Sequence, residues 1–375
     1  MTREARDPVV ELLGAGGIDE IPFFAAQRTW AARGERYIAL MTATLASGRA
    51  LQGAEVSLFE AARADRCERG HAVAVGSGTD ALYFALLAAG VGPGDEVVVP
   101  ALSFIASASC VVRAGAVPVF ADVDEHLMLD PSAARAALSS RTRAILAVDL
   151  FGQVVDAPAL QALADEHGVA LVEDAAQALG ARSAGAIGLV SCCSFDPTKT
   201  LAAPGSGGAV LTDDDALVAH VRRLRWHGRD GDGRHVELGF NSQLPTASAA
   251  ILHDKLVHDD IAWTQRRREV AARYDAALEG SALRPVGVAA GRTHVFHKYV
   301  VRGAGRDALR EHLRGHGIPT LVHYAAPLAC QPMFDGRCRA LPCPNAERAC
   351  AEVLSLPIHA QLTDVEVDRV CAALA

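Results

Sequence analysis

The stretch VALVEDAAQALGARSAGAIGLVSCCSFDPTKTLAAPGSGG, residues 169–208, decides how the rest of this chain is read. The run Val169 to Val172 has the composition of a buried parallel strand, and Glu173 and Asp174 stand where such a strand would emerge. In an open α/β sheet that edge is where ligands collect, which places Asp174 at a site. A second apolar run, residues 189–195, reads as another short buried strand, and Lys199 lies just beyond it, 199 − 174 = 25 residues after Asp174. The turn Pro204-Gly205-Ser206-Gly207-Gly208 then allows backbone to pass close to a ligand with no side chain between.

A carboxylate, a lysine and a glycine turn in this order suit pyridoxal 5'-phosphate. A lysine amine condenses with an aldehyde only when unprotonated, and partial burial beside a cationic ring lowers its pKa toward that state. A carboxylate facing the pyridinium nitrogen keeps it protonated, so the ring can withdraw electrons from a carbanion on the bound amine. Gln177, three residues past Asp174, suits the phenolic oxygen of the ring, and the hydroxyl of Ser194 suits a phosphate oxygen. Taken singly, each has an ordinary reading: a helix cap, a solvated lysine, a simple turn. The ordered set carries the assignment.

Upstream, the apolar strand His71 to Val75 is followed by Gly76-Ser77-Gly78-Thr79-Asp80 and a helical run from Ala81 to Ala89. Strand, glycine turn and helix start together form an anion site, because free backbone N–H groups and the helix dipole converge there. Gly78 and Thr79 are the candidates for holding the cofactor phosphate, with the Asp80 amide as a further donor. The plain alternative is that Thr79 or Asp80 caps the helix.

With these residues in hand, the chain resembles the sugar aminotransferases of the DegT/DnrJ/EryC1/StrS family. The likeness rests on Glu173-Asp174-Ala175-Ala176-Gln177, on Ser194-Phe195-Asp196-Pro197-Thr198-Lys199 and on Gly205-Ser206-Gly207-Gly208, and it extends from about Ile21 nearly to the C-terminus. It implies an α/β protein of the aspartate-aminotransferase fold (pyridoxal phosphate fold type I). That fold has a large domain with a mainly parallel sheet sandwiched by helices, a smaller C-terminal α/β domain, and a homodimer with sites at the subunit interface. It implies that Phe104, in Pro100-Ala101-Leu102-Ser103-Phe104, stacks on the pyridine ring, the alternative being a core phenylalanine. It carries over Asn241, in Gly239-Phe240-Asn241-Ser242-Gln243-Leu244, as a residue that reaches the cofactor phosphate of the other subunit. Position 243 holds Gln where the family usually has Arg, which removes a fixed cation from that region. His323 and Tyr324 are substrate candidates on the same ground, with an ordinary surface histidine as the alternative. The resemblance also includes Asp149-Leu150-Phe151-Gly152, whose place just past a strand end would let it approach the substrate.

The reaction implied is a two-stage amine transfer. Lys199 holds pyridoxal phosphate as a Schiff base, glutamate or glutamine donates its amine to leave pyridoxamine 5'-phosphate, and a keto-sugar nucleotide or keto-cyclitol accepts it. Two rivals stand beside it: a sugar dehydratase using the pyridoxamine form, and a non-catalytic, cofactor-binding regulatory protein. In several such dehydratases histidine replaces the lysine, so Lys199 argues against the first, and intact Lys199, Asp174 and Gln177 argue against the second.

Composition agrees. The chain has 375 residues, half of them apolar, enough for a large α/β domain and a smaller one. Strand and helix patterns alternate through Val117–Phe120, 131–138, Ala144–Val148 and Ala157–His167, which predicts a mainly parallel sheet covered on both faces. The expected division is a loose lead over 1–21, a large cofactor-binding domain over 22–255 and a small domain over 256–375. A helix is predicted over 27–50, helical spacing over 247–274, and a strand over 296–301. A formal charge of −8, with no basic run longer than Arg266-Arg267-Arg268, excludes nucleic acid and anionic membrane as main partners. Those three arginines read as an exposed helix face. No apolar run is long enough to span a bilayer and the N-terminus lacks a signal-peptide core, so a cytoplasmic location is expected. Nine cysteines are then expected to be thiols, and the spacing of Cys330, Cys338, Cys343 and Cys350 lacks a C-x-x-C pair, so no metal is expected.

Overall fold

The structure is a computed structural model that describes residues 21–374. The expected N-terminal lead lies outside the described residues apart from Ile21, which is buried. In chain order the elements begin with α1 (Ala26–Ala46), α2 (Ala54–Arg66), β1 (His71–Val75), α3 (Gly78–Ala88), β2 (Glu96–Pro100), α4 (Ala106–Arg113) and β3 (Val117–Ala121). There follow α5 (Pro131–Ala137), β4 (Thr142–Val148), α6 (Ala157–His167), β5 (Ala170–Asp174), β6 (Val190–Ser194), β7 (Gly208–Thr212) and α7 (Asp215–Leu224). The chain then runs through α8 (Thr246–His258), α9 (Asp260–Ala277), β8 (Arg284–Pro285), β9 (Tyr299–Arg302), α10 (Arg306–Gly315), β10 (Arg339–Ala340), α11 (Pro344–Glu352), β11 (Val353–Leu356) and α12 (Asp364–Leu374).

Eight strands form one sheet in the order β1-β7-β6-β5-β4-β2-β3-β10. β7 is antiparallel to both neighbours, and every other pairing is parallel. The carboxyl ends of β1, β2, β4, β5 and β6 therefore meet at one edge, where the connections to the following segments bring their side chains together. The strands are Val-, Ala- and Ile-rich and buried along nearly their whole length because helices cover both faces. The helices start where the sequence offers caps: Ser77, Asp130, Asp156 and Asp214 each accept first-turn amides through their side chains.

A second, antiparallel sheet of order β11-β9-β8 has its own apolar cluster, in which Tyr274, Tyr299, Leu313, Leu354 and Ile21 pack together. The short strand β10, late in the chain, returns to the edge of the large sheet beside β3.

Several expectations are corrected. The helical stretch 247–274 is two helices, because Asp259 leaves helical geometry at φ −120° between α8 and α9. The strand expected over 296–301 begins only at Tyr299: Phe296 has φ +50°, and the turn it makes withdraws residues 297 and 298 from the ladder. The helix expected to reach residue 50 stops at Ala46, just before the left-handed Gly48 (φ +70°). Arg267 is not on an exposed face; it is buried and donates Nη1 to the carbonyls of Phe296 (3.0 Å) and Ile358 (2.8 Å). Among the described residues, no helix is long and apolar enough to cross a membrane.

Candidate active site

A cavity of about 380 Å³ lies at the carboxyl edge of the large sheet. Its walls carry Asp174, Gln177, Ser194 and Lys199 from the 169–208 stretch, Gly78 and Thr79 from the start of α3, Phe104 after β2, and His323 with Tyr324. Nine of the sequence-predicted residues are thus brought to one space, and Asn241 is not among its lining: it is exposed and pairs with Trp226 in an isolated bridge.

Asp174 is the last residue of β5, and strand alternation sends its carboxylate and that of Glu173 to opposite faces. Glu173 is saturated there by the amides of Gly185 (2.8 Å) and Ile187 (2.9 Å) and the hydroxyl of Ser191 (2.6 Å), so it secures the 185–191 turn. Asp174 faces the cavity, with the Ala176 amide at 3.1 Å and the Ser107 hydroxyl at 3.5 Å. Burial pushes its carboxyl up from the ordinary range, while the nearby Lys199 pulls it down.

Lys199 follows a tight turn in which its amide donates to the Asp196 carbonyl (2.9 Å), and Thr198 donates to the Asp196 carboxylate through its amide (2.9 Å) and hydroxyl (2.6 Å). The turn sets the lysine on the cavity wall. Burial lowers its pKa from the usual lysine range, and the charge of Asp174 opposes the shift.

At the other strand ends, Ser77 caps α3 by accepting the Asp80 amide (3.0 Å), so that amide is already occupied. The amides of Gly78 and Thr79 have no partner among the described residues and sit at the positive end of an eleven-residue helix. Gly78 is required by packing: a Cβ there would stand 2.5 Å from the Cβ of Ser194. That close approach is what places the Ser194 hydroxyl beside the free amides. Phe104 is not a core residue, since it is 51% exposed and its ring lines the cavity. Gln177 accepts the Phe151 amide through Oε1 (2.9 Å), which leaves Nε2 to donate. His323 is held by Ser355 Oγ (2.8 Å), and its ring centroid lies 5.5 Å from that of Tyr324.

Sequence reasoning missed His297, Lys298 and Phe24, which also line the cavity. Reading 296–301 as a strand concealed the first two; the only available signal was a pair of polar residues inside an otherwise apolar run.

A family model described as the DegT/DnrJ/EryC1/StrS aminotransferase family matches residues 32–375. The chain belongs to this family. The aminotransferase is 44% identical over 345 residues to the dTDP-3-amino-3,4,6-trideoxy-alpha-D-glucose transaminase of Streptomyces venezuelae, covering 90% of each chain. It is 41% identical over 343 residues to the "pleiotropic regulatory protein" of Geobacillus stearothermophilus, covering 88% of this chain and 91% of that one. Among solved structures, that of DesV from S. venezuelae in complex with a ketimine intermediate superposes with a TM-score of 0.91 at 41% identity, over 95% of this chain and 97% of the other. The fold is accordingly pyridoxal phosphate fold type I, and pyridoxal phosphate is the cofactor.

The residues present fit that group. Among the described residues, a buried carboxylate without a basic partner at hydrogen-bond distance, two free helix-start amides beside a hydroxyl, and a desolvated amine all open onto one cavity. A pyridinium N–H would supply the counter-charge that Asp174 lacks.

Proposed function

We propose that this enzyme moves an amino group from glutamate or glutamine to a nucleotide-linked keto-sugar or a keto-cyclitol. The observation that carries the reading is the desolvated amine of Lys199 sharing a cavity with the buried Asp174 carboxylate. The Streptomyces relative, a nucleotide-sugar transaminase by name, supports the acceptor class.

When bound, pyridoxal phosphate supplies the aldehyde that takes up the amine and the ring that accepts the electrons freed at the donor's Cα. The chain's residues do the rest. Gly78 and Thr79 amides and the Ser194 hydroxyl hold the phosphate, and Phe104 covers one face of the ring. Asp174 keeps the ring nitrogen protonated, and Gln177 donates to the phenolic oxygen. Lys199 Nζ, depressed in pKa, removes the proton from the donor's Cα and returns a proton to the acceptor carbon in the second stage. His323 and Tyr324 flank the acceptor.

We read the protein as a homodimer with sites at the interface. Trp30, Ile38 and Leu45 of α1 are 52%, 53% and 60% exposed, an apolar display that a partner would cover. Asn241, exposed and outside the lining of its own chain's cavity, then serves the partner's phosphate. The matching domain division is 22–255 and 256–375.

The test is spectroscopic and isotopic. Purified protein should show the absorbance band of a lysine-bound cofactor, lost on borohydride treatment and absent in Lys199→Ala, with turnover reduced on the order of a thousandfold or more. Amine from labelled glutamate should appear in the product; an unlabelled deoxy product would show deoxygenation instead. The name of the Geobacillus relative favours a regulatory role as a second reading. A cofactor band with no half-reaction toward any amino acid would establish that one.

A further inference from the structure

Beyond Lys199 the cavity continues into a second one of about 320 Å³, running beneath α1 toward α8 and α9. The two share Phe24, Thr198, Lys199, His297 and Lys298 as a common partition. Among the described residues, the wall of the second cavity carries no Asp or Glu, yet it contains the buried cations Lys255, Arg267 and Lys298. Among the described residues, none of the three has a carboxylate within ion-pair distance.

They differ in how they are satisfied. Lys255 Nζ donates to the Ala202 carbonyl (2.6 Å), and Arg267 donates to two carbonyls. Lys298 Nζ makes no hydrogen bond among the described residues; it rests over the rings of Phe24 and Phe23, 4.6 and 5.3 Å from their centroids. The acid whose charge acts on it, Asp196, is already engaged by Thr198. Burial, followed by the charges of Lys199 and Arg267, brings its pKa down to about 7. An ammonium held in that state is costly unless a counter-ion arrives with a ligand. Gln243, which stands where the family usually has Arg, hydrogen-bonds Gln52 (2.6 Å) and lies outside both cavities.

We propose that the Lys298 ammonium is the counter-ion for a substrate carboxylate, gripping it at the partition beside Lys199. The proposal rests on the transamination reading and deepens it: Lys298 becomes the residue that selects an acidic substrate, either the amino donor through a carboxylate or a uronic-acid acceptor through its own. Phe23 and Phe24 pack against the ammonium of a largely buried side chain, so the ion pair forms in a low-dielectric setting where charge-assisted hydrogen bonds are strong.

The two half-reactions separate the sources. With glutamate and the holoenzyme, Lys298→Gln should raise the KM about tenfold or more while kcat stays within about threefold, and Lys298→Arg should restore most of the loss. If glutamate is unaffected, the amine-loaded enzyme is compared on a keto-uronate and a neutral keto-hexose, each carried on the same nucleotide. A KM increase confined to the uronate supports the proposal with the acceptor as the source. No change in either arm overturns it, as does an equal loss on the uronate and the neutral sugar. Lys298→Met serves if the Gln variant does not fold. Should wild type show no half-reaction at all, the transamination reading fails; calorimetric binding of glutarate, which carries carboxylates but no amine, then decides Lys298 alone. Binding weakened about tenfold in Lys298→Gln supports the anchor, and undetectable or equal binding in wild type and variant sinks it.

Discussion

Glu173 and Asp174 are neighbours of one chemical type with opposite tasks. The pleat sends Glu173 to three donors that hold a turn, and sends Asp174 to the cavity, where its charge is poorly compensated until a cationic ring arrives. A stability cost follows at the residue scale. The folded-state pKa of Asp174 is raised above its unfolded value, so its contribution is fully present below the unfolded pKa and is lost as pH rises through the folded one. In cofactor-free protein at pH 7, Asp174→Asn should therefore stabilise the chain by on the order of 1 kcal/mol, with the gain vanishing below about pH 4. The same variant, once loaded with cofactor, should lose turnover by about a hundredfold or more. Thermal melts across pH check the first outcome, and a variant less stable than wild type at neutral pH would contradict it.

At the scale of elements, α1 is tied to the end of the chain as well as to α8. Arg28 donates Nη1 to Glu366 Oε2 (2.7 Å) and to the Gln361 carbonyl (2.9 Å), joining α1 to α12. The Arg28 hydrogen bond, with help from Thr363, holds the Glu366 carboxyl down to about 2. This folded pKa is depressed, so the stabilisation is present above the unfolded value and is lost as pH falls from about 4.5 toward 2. Because the pair is partly solvated, we expect Glu366→Gln to cost only about 1 kcal/mol at pH 7 and nothing near pH 2. Chemical denaturation at the two pH values measures it. The connection between α9 and β9 shows how an element boundary was hidden. Apolar spacing through residues 296–301 read as strand, but whether a residue lies in a ladder depends on a partner, and β11 pairs only from Tyr299.

For the whole molecule, the sheet order directs five strand ends to one edge, while Trp30, Ile38 and Leu45 of α1 remain exposed to solvent. If a second copy covers that face, placing charges there removes apolar contact and buries unpaired carboxylates. We expect Ile38→Asp with Leu45→Asp to shift a dimer to monomer in light scattering, and turnover to fall about tenfold or more as Asn241 is withdrawn from the partner's site. A double variant that remains dimeric and active would remove this face from the interface. The site within one chain was more legible than the assembly. Asp174, Gln177, Ser194 and Lys199 are spaced by local strand and turn geometry, whereas nothing in the spacing around Asn241 says which chain's cavity it serves.

From its order of residues alone, this chain determined a parallel α/β sheet, a carboxylate and a lysine at adjacent strand ends, and a glycine-rich helix start, because each is written in short-range periodicity and turn chemistry. Only the tertiary structure decided that Lys298 and His297 stand on the same wall as Lys199, that Arg267 is buried, and that Gly78 is held against Ser194. Those facts depend on contacts between segments distant in sequence, whose burial and charge are set by what the fold packs against them.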